Sequence, residues 1–323
     1  MTLSEECHQL MDQLQLSSRR IVLLAGGSSQ EREISLRSGQ GVFEALSRCA
    51  LQIEQIDPAE ISVRSFEWQK HDIAFLALHG CYGEDGQIQQ ELEQLGVSFT
   101  GCQAQVAVNC FDKLICQQIV EGCGVSVPQT LELTAEQPLT QQIDSIGDWG
   151  LPAIVKPRRN GSSVGMALIS SVQQTEEALI TLQPFLSNDS LLVQPLIQGA
   201  EWTVPFLDER MLPPVSIQHA QKFFSYSAKY QAPETVFSVV SQDHPHYAAV
   251  AKCAIAVQAA LKTTGAVRVD VMIDQAGEVY CLEVNNIPGM TPSSTLPLAA
   301  KAIGWSYEEL CVRILLSGLQ DLQ

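Results

Sequence analysis

The sequence is poor in charged and aromatic residues and lacks any long apolar run. Charged residues make up 17% of the 323-residue chain and aromatic residues 6%, while hydrophobic residues make up 46%. No apolar run approaches the ~20 residues that a membrane-spanning helix needs. This composition is that of an ordinary globular chain, and it excludes a membrane-embedded one. We expect a soluble protein.

Positive charge is scarce, because 19 Lys and Arg stand against 36 Asp and Glu, which gives a net charge of −17. Binding to nucleic acid or to an acidic membrane needs clustered Lys and Arg that neutralise many phosphates. The sequence therefore predicts no nucleic-acid partner and no membrane partner. A small anionic ligand would need individual, locally placed lysines instead.

The ten cysteines show no C-x-x-C pair and no regular spacing. A zinc site or a disulfide framework would show such spacing, so neither is predicted, and a cytoplasmic, reducing environment fits best.

The first 20 residues carry acidic and amide side chains where a secretory signal would place a basic start and an apolar stretch. They are predicted to form a short helical tail and not an export signal.

The length exceeds that of most single compact domains, so several lobes are expected. An apolar run at 21–25 breaks into Gly26 and Gly27 and precedes a helical pattern from Glu31; strands and helices then alternate. Ligands should bind at the carboxyl ends of those strands. The predicted segments are an N-terminal tail at 1–19, a doubly wound parallel α/β domain at 20–105, and two α+β lobes at 106–197 and 198–323.

The segment AVRVDVMIDQAGEVYCLEVNN predicts a β-hairpin with one apolar and one charged face. Along its first strand, Arg268, Asp270 and Met272 alternate with branched apolar residues. A turn around 274–277 would return the chain. The second strand is then expected to place Cys281, Glu283 and Asn285 on one face, and Tyr280, Leu282 and Val284 on the other.

The charged face of this hairpin has two interpretations. An even-length turn would put Glu283 on the same side as Arg268 and Asp270. Two carboxylates with the amide oxygen of Asn285 would then form a hard oxygen site suited to Mg²⁺ that bridges nucleotide phosphates. The alternative is a solvated face with a cross-strand ion pair between Arg268 and Glu283. The hairpin alone leaves both open.

A second informative segment is LPAIVKPRRNGSSVGMALI, in which a strand delivers Lys156 into a loop of glycines and serines. Such a loop lets backbone N–H groups approach phosphates closely. It is not a Walker A loop, because the lysine precedes the glycines. Nor does the earlier run at 25–29 match G-x-G-x-x-G, which disfavours a Rossmann dehydrogenase. Taken alone, the loop could also be a structural turn.

Loop and hairpin together, in this order, resemble the ATP-grasp superfamily, whose two α+β lobes hold ATP between them. Within it, the chain looks like a D-alanine:D-alanine ligase. Five blocks spanning residues 23–294 carry the resemblance: LLAGGSSQEREISLRSG, LALHGCYGEDG, IVKPRRNGSSVGM, SAKYQAPET and LEVNNIPGMTPSS. The resemblance implies ATP-dependent joining of two D-alanines through an acyl phosphate for peptidoglycan precursor synthesis, by a homodimer.

The resemblance also implies a role for each matching residue. Metal ligands for two Mg²⁺ or Mn²⁺ would be Asp270, Glu283 and Asn285. Nucleotide contacts would come from Lys113, Lys156, Ser162, Ser163, Gln194, Pro195, Ile197, Glu201 and Lys229. D-alanine would meet Glu31, His79, Ser294 and Thr295. Catalysis would use Glu31, Ser162, Tyr230, and the oxyanion donors Arg268 and Gly289.

Some of these residues have an ordinary structural alternative. Ser28 and Glu31 have the spacing of a helix capping box. Lys113 falls on the polar side of an amphipathic helix, where most lysines are solvated. Ser294 beside a turn could be a local cap.

The chain departs from the family pattern in its adenine segment and at two loop positions. Gln194 and Pro195 stand where a carboxylate and a lysine are usual, Asn160 replaces a glutamate, and Thr295 replaces a leucine. Adenine recognition is still expected through the carbonyl of Pro195 and the N–H of Ile197, because proline removes only a donor.

Two other functions stay as alternatives. A depsipeptide ligase would use D-lactate as second substrate, and Tyr230 argues against it. A nucleotide-binding protein without ligase activity would fit the altered adenine segment, and the intact set Arg268, Asp270, Glu283 and Asn285 argues against it.

Overall fold

The computed structural model describes residues 3–161, 164–218 and 235–320. Its N-terminal part is a parallel sheet in the order β2-β1-β3-β4, flanked by helices, which confirms the expected α/β class. The strands are β1 (Arg20–Leu24), β2 (Gln52–Ile56), β3 (Ile73–Leu76) and β4 (Ser98–Phe99), and the helices are α1 (Glu5–Gln13), α2 (Arg32–Arg48) and α3 (Gln87–Leu95). Strand β3 is buried throughout because both faces of the sheet are covered.

A central antiparallel sheet follows, in the order β5-β8-β6-β7. Its strands are β5 (Leu131–Leu133), β6 (Ala153–Pro157), β7 (Ala167–Ile169) and β8 (Leu191–Pro195), and the helices of this region are α4 (Ala104–Phe111), α5 (Lys113–Gly122), α6 (Leu139–Trp149) and α7 (Val172–Leu186). Asp112 is the N-cap of helix α5, and its carboxylate accepts the N–H groups of Leu114 and Ile115 and binds Arg158 at 2.7 Å. That pair fastens α5 to the loop after β6.

A six-stranded antiparallel sheet completes the fold, in the order β12-β11-β9-β13-β14 with β10 on β9. The strands are β9 (Gly199–Leu207), β10 (Arg210–Met211), β11 (Val215–Gln218), β12 (Val236–Val239), β13 (Ala266–Asp274) and β14 (Val279–Asn285), and the helices are α8 (Tyr247–Leu261), α9 (Thr295–Ala302) and α10 (Tyr307–Gln320). Across the described ranges, no helix is both long and apolar enough to span a membrane.

The N-terminal segment forms the predicted helix, and this helix is docked on the fold. Cys7 and Met11 of α1 lie in the same apolar core as residues of α2 and α10. Arg313 of α10 binds Glu6 at 2.7 Å and lies over the Trp305 ring at 4.4 Å. The segment is therefore part of the packed structure and does not behave as a free tail.

The hairpin of β13 and β14 contains a bulge that the alternation pattern does not reveal. In the register of the two strands, Asp270 lies opposite Glu283, but Val271 lies opposite Cys281. Leu282 is therefore the extra residue of the bulge. A bulge reverses the facing of the residues beyond it. Cys281 consequently lies in the apolar core, whereas Leu282 and Glu283 line a cavity. The expectation that Cys281 shares a face with Glu283 and Asn285, and that Leu282 faces away from Glu283, is wrong.

Candidate active site

The charged face of the hairpin is buried at the centre of the molecule. Arg268 is 9% exposed and Asp270 6% exposed. Arg268 donates from Nε and Nη2 to the two oxygens of Asp270, each at 2.9 Å, and Thr203 donates to Asp270 Oδ1 at 2.5 Å. Buried charges persist only when paired in this way. The interpretation of this face as solvated is therefore wrong.

Two lysines approach the hairpin from the central region. Lys113 is 7% exposed, and its Nζ donates to the Asn160 carbonyl at 2.5 Å and lies 3.6 Å from Glu283 Oε2. The expectation of a solvated lysine at this position is wrong. Burial lowers the pKa of Lys156 to about 8, with Glu283 opposing the shift and Lys113 adding to it. Two close ammonium groups form a site that a polyanion would stabilise.

A cavity of about 1080 Å³ separates the central sheet from the six-stranded sheet. The predicted nucleotide and metal residues that line it are Lys113, Lys156, Gln194, Pro195, Ile197, Glu201, Asp270 and Glu283. Gln194 is buried, and its amide donates to Thr130 Oγ1 at 2.8 Å. The acidic hairpin and the lysines thus face the same space.

A smaller cavity of about 370 Å³ adjoins the first, and the predicted residues that line both are Lys113, Glu201, Asp270 and Glu283. The other predicted residues on its wall are Glu31, His79, Arg268, Asn285, Gly289, Ser294 and Thr295. Because the shared residues line both, a ligand in one cavity would meet a ligand in the other beside Glu283.

Glu31 occupies the N-cap position of α2, but its side chain makes no capping bond. Its N–H donates to Ser29 Oγ at 3.1 Å, so the capping box with Ser28 is not formed. The carboxylate lies over two glycines, since a methyl group at Gly80 or Gly161 would come within 2.6 or 2.5 Å of Glu31 Oε2. Glycine at both positions is what leaves room for this carboxylate.

His79 is 4% exposed and held from two sides. Nδ1 donates to the Ile287 carbonyl at 3.1 Å, because a carbonyl can only accept. With the ring proton on Nδ1, Nε2 accepts from Ser38 Oγ at 3.0 Å, and this hydroxyl oxygen accepts the Met290 N–H at 3.2 Å. Sequence reasoning missed Ser38, because a serine inside a helix gives no signal of a partner 41 residues away.

Glu84 is a second residue that sequence reasoning missed. Its Oε1 lies 3.5 Å from His79 Nδ1, and it lines the smaller cavity together with Glu31. Burial raises the pKa of Glu84, with His79 opposing the shift and Glu31 adding to it. The acidic GEDG run was the available signal.

Ser294 precedes α9, yet its hydroxyl makes no capping bond and pairs with Thr291 Oγ1 at 2.8 Å. The local-cap alternative is therefore wrong for the side chain. A methyl group at Gly289 would come 3.0 Å from Ser294 Oγ, so the two residues form adjacent parts of the wall.

The described residues contain no group of three or more His, Cys, Asp or Glu that could hold a metal ion. The predicted set has two carboxylates, Asp270 and Glu283, and the amide of Asn285, whose Oδ1 accepts the Ile287 N–H at 3.0 Å. Mg²⁺ in nucleotide sites characteristically uses one or two carboxylates and completes its shell with phosphate and water oxygens. The set fits that cation. Ser162, Ser163, Lys229 and Tyr230 lie outside the described residues.

Comparison with known proteins identifies the family. Residues 55–102 match the family model for the D-ala D-ala ligase N-terminus, and residues 119–316 match the model for its C-terminus. The chain belongs to the D-alanine–D-alanine ligase family. Relatives in this family include the D-alanine–D-alanine ligase of Laribacter hongkongensis, 35% identical over 92% of this chain and 95% of that protein.

Other members of the family agree over most of the chain. The D-alanine–D-alanine ligase of Alkalilimnicola ehrlichii is 38% identical over 92% of this chain and 94% of that protein. The crystal structure of the Bacillus anthracis family member complexed with ATP covers 94% of this chain and 97% of its own, at 33% identity and a TM-score of 0.79. The family and its ATP-grasp fold therefore extend over nearly the whole length.

Proposed function

We propose that this chain joins two D-alanine molecules to D-alanyl-D-alanine at the cost of ATP, for peptidoglycan precursor synthesis. The observation that carries the proposal is the shared wall of the two cavities, where Lys113 and Glu283 lie 3.6 Å apart. ATP would occupy the larger cavity and the D-alanines the smaller one. The γ-phosphate and the first carboxylate would then meet beside Glu283.

On the nucleotide side, the segment from Gln194 to Glu201 would hold adenine and ribose at one end of the larger cavity. Lys113 and Lys156 would neutralise phosphate charge at the other end. Asp270, Glu283 and Asn285 would hold Mg²⁺ or Mn²⁺. The metal would supply charge neutralisation on the phosphate oxygens.

On the substrate side, the Glu31 carboxylate would bind the ammonium of the first D-alanine, and His79 would orient it. A carboxylate oxygen of this D-alanine displaces ADP from the γ-phosphorus, and the product is an acyl phosphate. The amine of the second D-alanine, whose carboxylate Ser294 and Thr295 would bind, attacks the acyl carbon and expels phosphate. Arg268 and the Gly289 N–H would stabilise the oxyanion on the way.

The chain would fold as three lobes and act in the cytoplasm as a homodimer. One sheet falls within each of 20–105, 106–197 and 198–323, which supports three lobes. All ten cysteines are free, which suits a reducing cytoplasm. A homodimer without nucleic-acid or membrane partners accords with the family resemblance and the net charge of −17.

The direct test is ADP release with ATP and Mg²⁺, offering D-alanine, D-lactate or D-serine as second substrate. We expect D-alanine to give the fastest turnover, with D-alanyl-D-alanine identified by mass spectrometry. Faster turnover with D-lactate would assign a depsipeptide ligase. ATP binding without turnover on any of the three would assign a nucleotide-binding protein.

ATP binding is expected to take up protons near pH 8. Free Lys156 has a pKa of about 8, and a bound triphosphate would favour its ammonium form and raise the pKa towards the ordinary 10.5. About half a proton should be taken up per ATP at pH 8, and about a tenth at pH 7. Affinity for ATP should accordingly fall as the pH rises above 8.

Calorimetry in buffers of different ionisation enthalpy measures this uptake. The Lys156→Arg variant stays charged at pH 8 and should lose it, whereas Lys301→Met, on exposed α9 surface, should keep it. An unchanged uptake in Lys156→Arg would show that another group titrates.

Gly80→Ala is expected to weaken binding of the first D-alanine. Gly80 has φ +73°, and an added methyl would press on Glu31 Oε2. Gly96, with φ +66° and nothing within 4 Å, is a matched control for backbone strain alone. Both alanine variants should lose about 1 kcal/mol of stability. Only Gly80→Ala should raise the KM for D-alanine; equal KM values in the two variants would contradict the role of Glu31.

A further inference from the structure

The loop at 80–86 follows His79 and carries Glu84, and it folds back on itself. The N–H groups of Gly83 and Glu84 both donate to the Gly80 carbonyl, at 3.2 and 2.9 Å. The carbonyls of Gly83 and Glu84 point into the protein, where buried acceptors need donors. Two side-chain amides from distant parts of the chain supply these donors.

Both amides are almost completely buried. Gln89, on α3 and 1% exposed, donates from Nε2 to the Gly83 carbonyl at 2.7 Å. Asn286, directly after β14 and 2% exposed, donates from Nδ2 to the Glu84 carbonyl at 2.8 Å and to the Ala107 carbonyl at 3.1 Å. Consecutive carbonyls of the loop are thus held by amides that water does not reach.

Asn286 stands between two residues that already belong to the site. The side chain of Asn285 is on the wall of the smaller cavity, and the Ile287 carbonyl accepts from His79 Nδ1 at 3.1 Å. Three consecutive residues therefore contact the smaller cavity, the loop backbone and His79, respectively. The end of β14 couples the hairpin to the loop.

We propose that Asn286 and Gln89 are positioning residues that fix the His79–Glu84 pair in the first D-alanine site, an inference that rests on the proposed function. Without these donors the loop keeps its internal turn and the contacts of Tyr82 with Ile88 and Glu91. The Gly83 and Glu84 carbonyls are then no longer held, and the Glu84 carboxylate is free to leave His79. A displacement of about 1 Å is enough to cost about a hundredfold in rate at an organised site.

The test compares Asn286→Leu and Gln89→Leu with Gln142→Leu. Gln142 is a matched control on α6: it is 3% exposed, and its Nε2 donates to the Thr134 and Gln137 carbonyls at 3.2 and 2.8 Å. It lines neither cavity of the described residues. All three variants remove hydrogen bonds that a buried side-chain amide donates to backbone carbonyls, and all three should lose thermal stability.

The KM values for D-alanine and ATP distinguish a positioning role from a general loss of stability. Asn286→Leu should raise the KM for the first D-alanine at least about tenfold, which equals about 1.4 kcal/mol, and leave the KM for ATP within about twofold. Gln142→Leu should lower Tm without changing either KM. Asn286→Thr, which keeps one hydroxyl donor, should restore part of the affinity. An unchanged D-alanine KM in both Asn286→Leu and Gln89→Leu would overturn the proposal.

Hydrogen exchange of the Gly83 and Glu84 amides tests the same inference without turnover. These amides should exchange about tenfold faster in Gln89→Leu and Asn286→Leu than in the unmodified chain, and at the unmodified rate in Gln142→Leu. If the unmodified chain made no dipeptide, the proposed function would fail, whereas hydrogen exchange would still test the positioning role of Asn286 and Gln89. Unchanged exchange would refute it. If Asn286→Leu does not fold, Gln89→Leu and Asn286→Thr provide the same comparison.

Discussion

Glu283→Gln is expected to reduce D-alanine-dependent ADP release at saturating ATP by at least about a thousandfold. The substitution keeps the size of the side chain and removes its charge. That charge lies 3.6 Å from Lys113 Nζ and opposes the lowering of the Lys156 pKa. Without it, Lys113 and Lys156 lose the nearby carboxylate that offsets their charge, and the proposed metal loses a charged ligand.

The matched control is Glu278→Gln, an exposed carboxylate at the turn of the same hairpin. It should retain nearly full kcat. Thermal unfolding of Glu283→Gln, whose side chain is about a third exposed, shows whether the variant is folded at the assay temperature, so that misfolding is not mistaken for lost chemistry. Retention of more than about a tenth of kcat in Glu283→Gln would contradict the proposed metal site.

Arg268→Lys is expected to lower kcat at least about a hundredfold while changing the KM for ATP little. Lysine keeps the charge but cannot reproduce the two hydrogen bonds that the guanidinium donates to the Asp270 oxygens, each at 2.9 Å. The donor proposed for the oxyanion would therefore lose its fixed direction. Steady-state kinetics with both substrates varied separates the two constants.

Arg20→Lys provides the control for loss of a bidentate arginine–aspartate pair. Arg20 on β1 binds Asp72 through Nε at 3.2 Å and Nη2 at 2.6 Å, and neither residue lines either cavity. Both variants should lose about 1–3 kcal/mol of stability. Only Arg268→Lys should lose kcat; an equal loss in Arg20→Lys would mean that stability, and not oxyanion stabilisation, explains the effect.

The sequence predicts best where a strand has two unlike faces. The alternation of Val267, Val269 and Val271 with Arg268 and Asp270 predicted one apolar and one charged strand face. The structure confirms the two faces and decides what the alternation left open, because the charged residues line a cavity. The doubly wound N-terminal sheet was predictable for a similar reason, since its buried strands are continuous apolar runs.

The features of the structure that the sequence did not predict have physical causes. A single bulge at Leu282 moved Cys281 into the core, and periodicity cannot reveal a bulge. Strand β2 was missed because it is an edge strand with mostly exposed polar residues. The His79 contacts with Ser38 and Ile287 join residues 41 and 208 positions apart, and no local pattern encodes such tertiary contacts.

The most direct measurement is a crystal structure with a non-hydrolysable ATP analogue and Mn²⁺, whose anomalous scattering locates the metal. The triphosphate should lie between Lys156 and the hairpin, with a manganese peak about 2.0–2.3 Å from a Glu283 carboxylate oxygen. A triphosphate bound away from Lys113 and Lys156, or a metal remote from Glu283, would contradict the account.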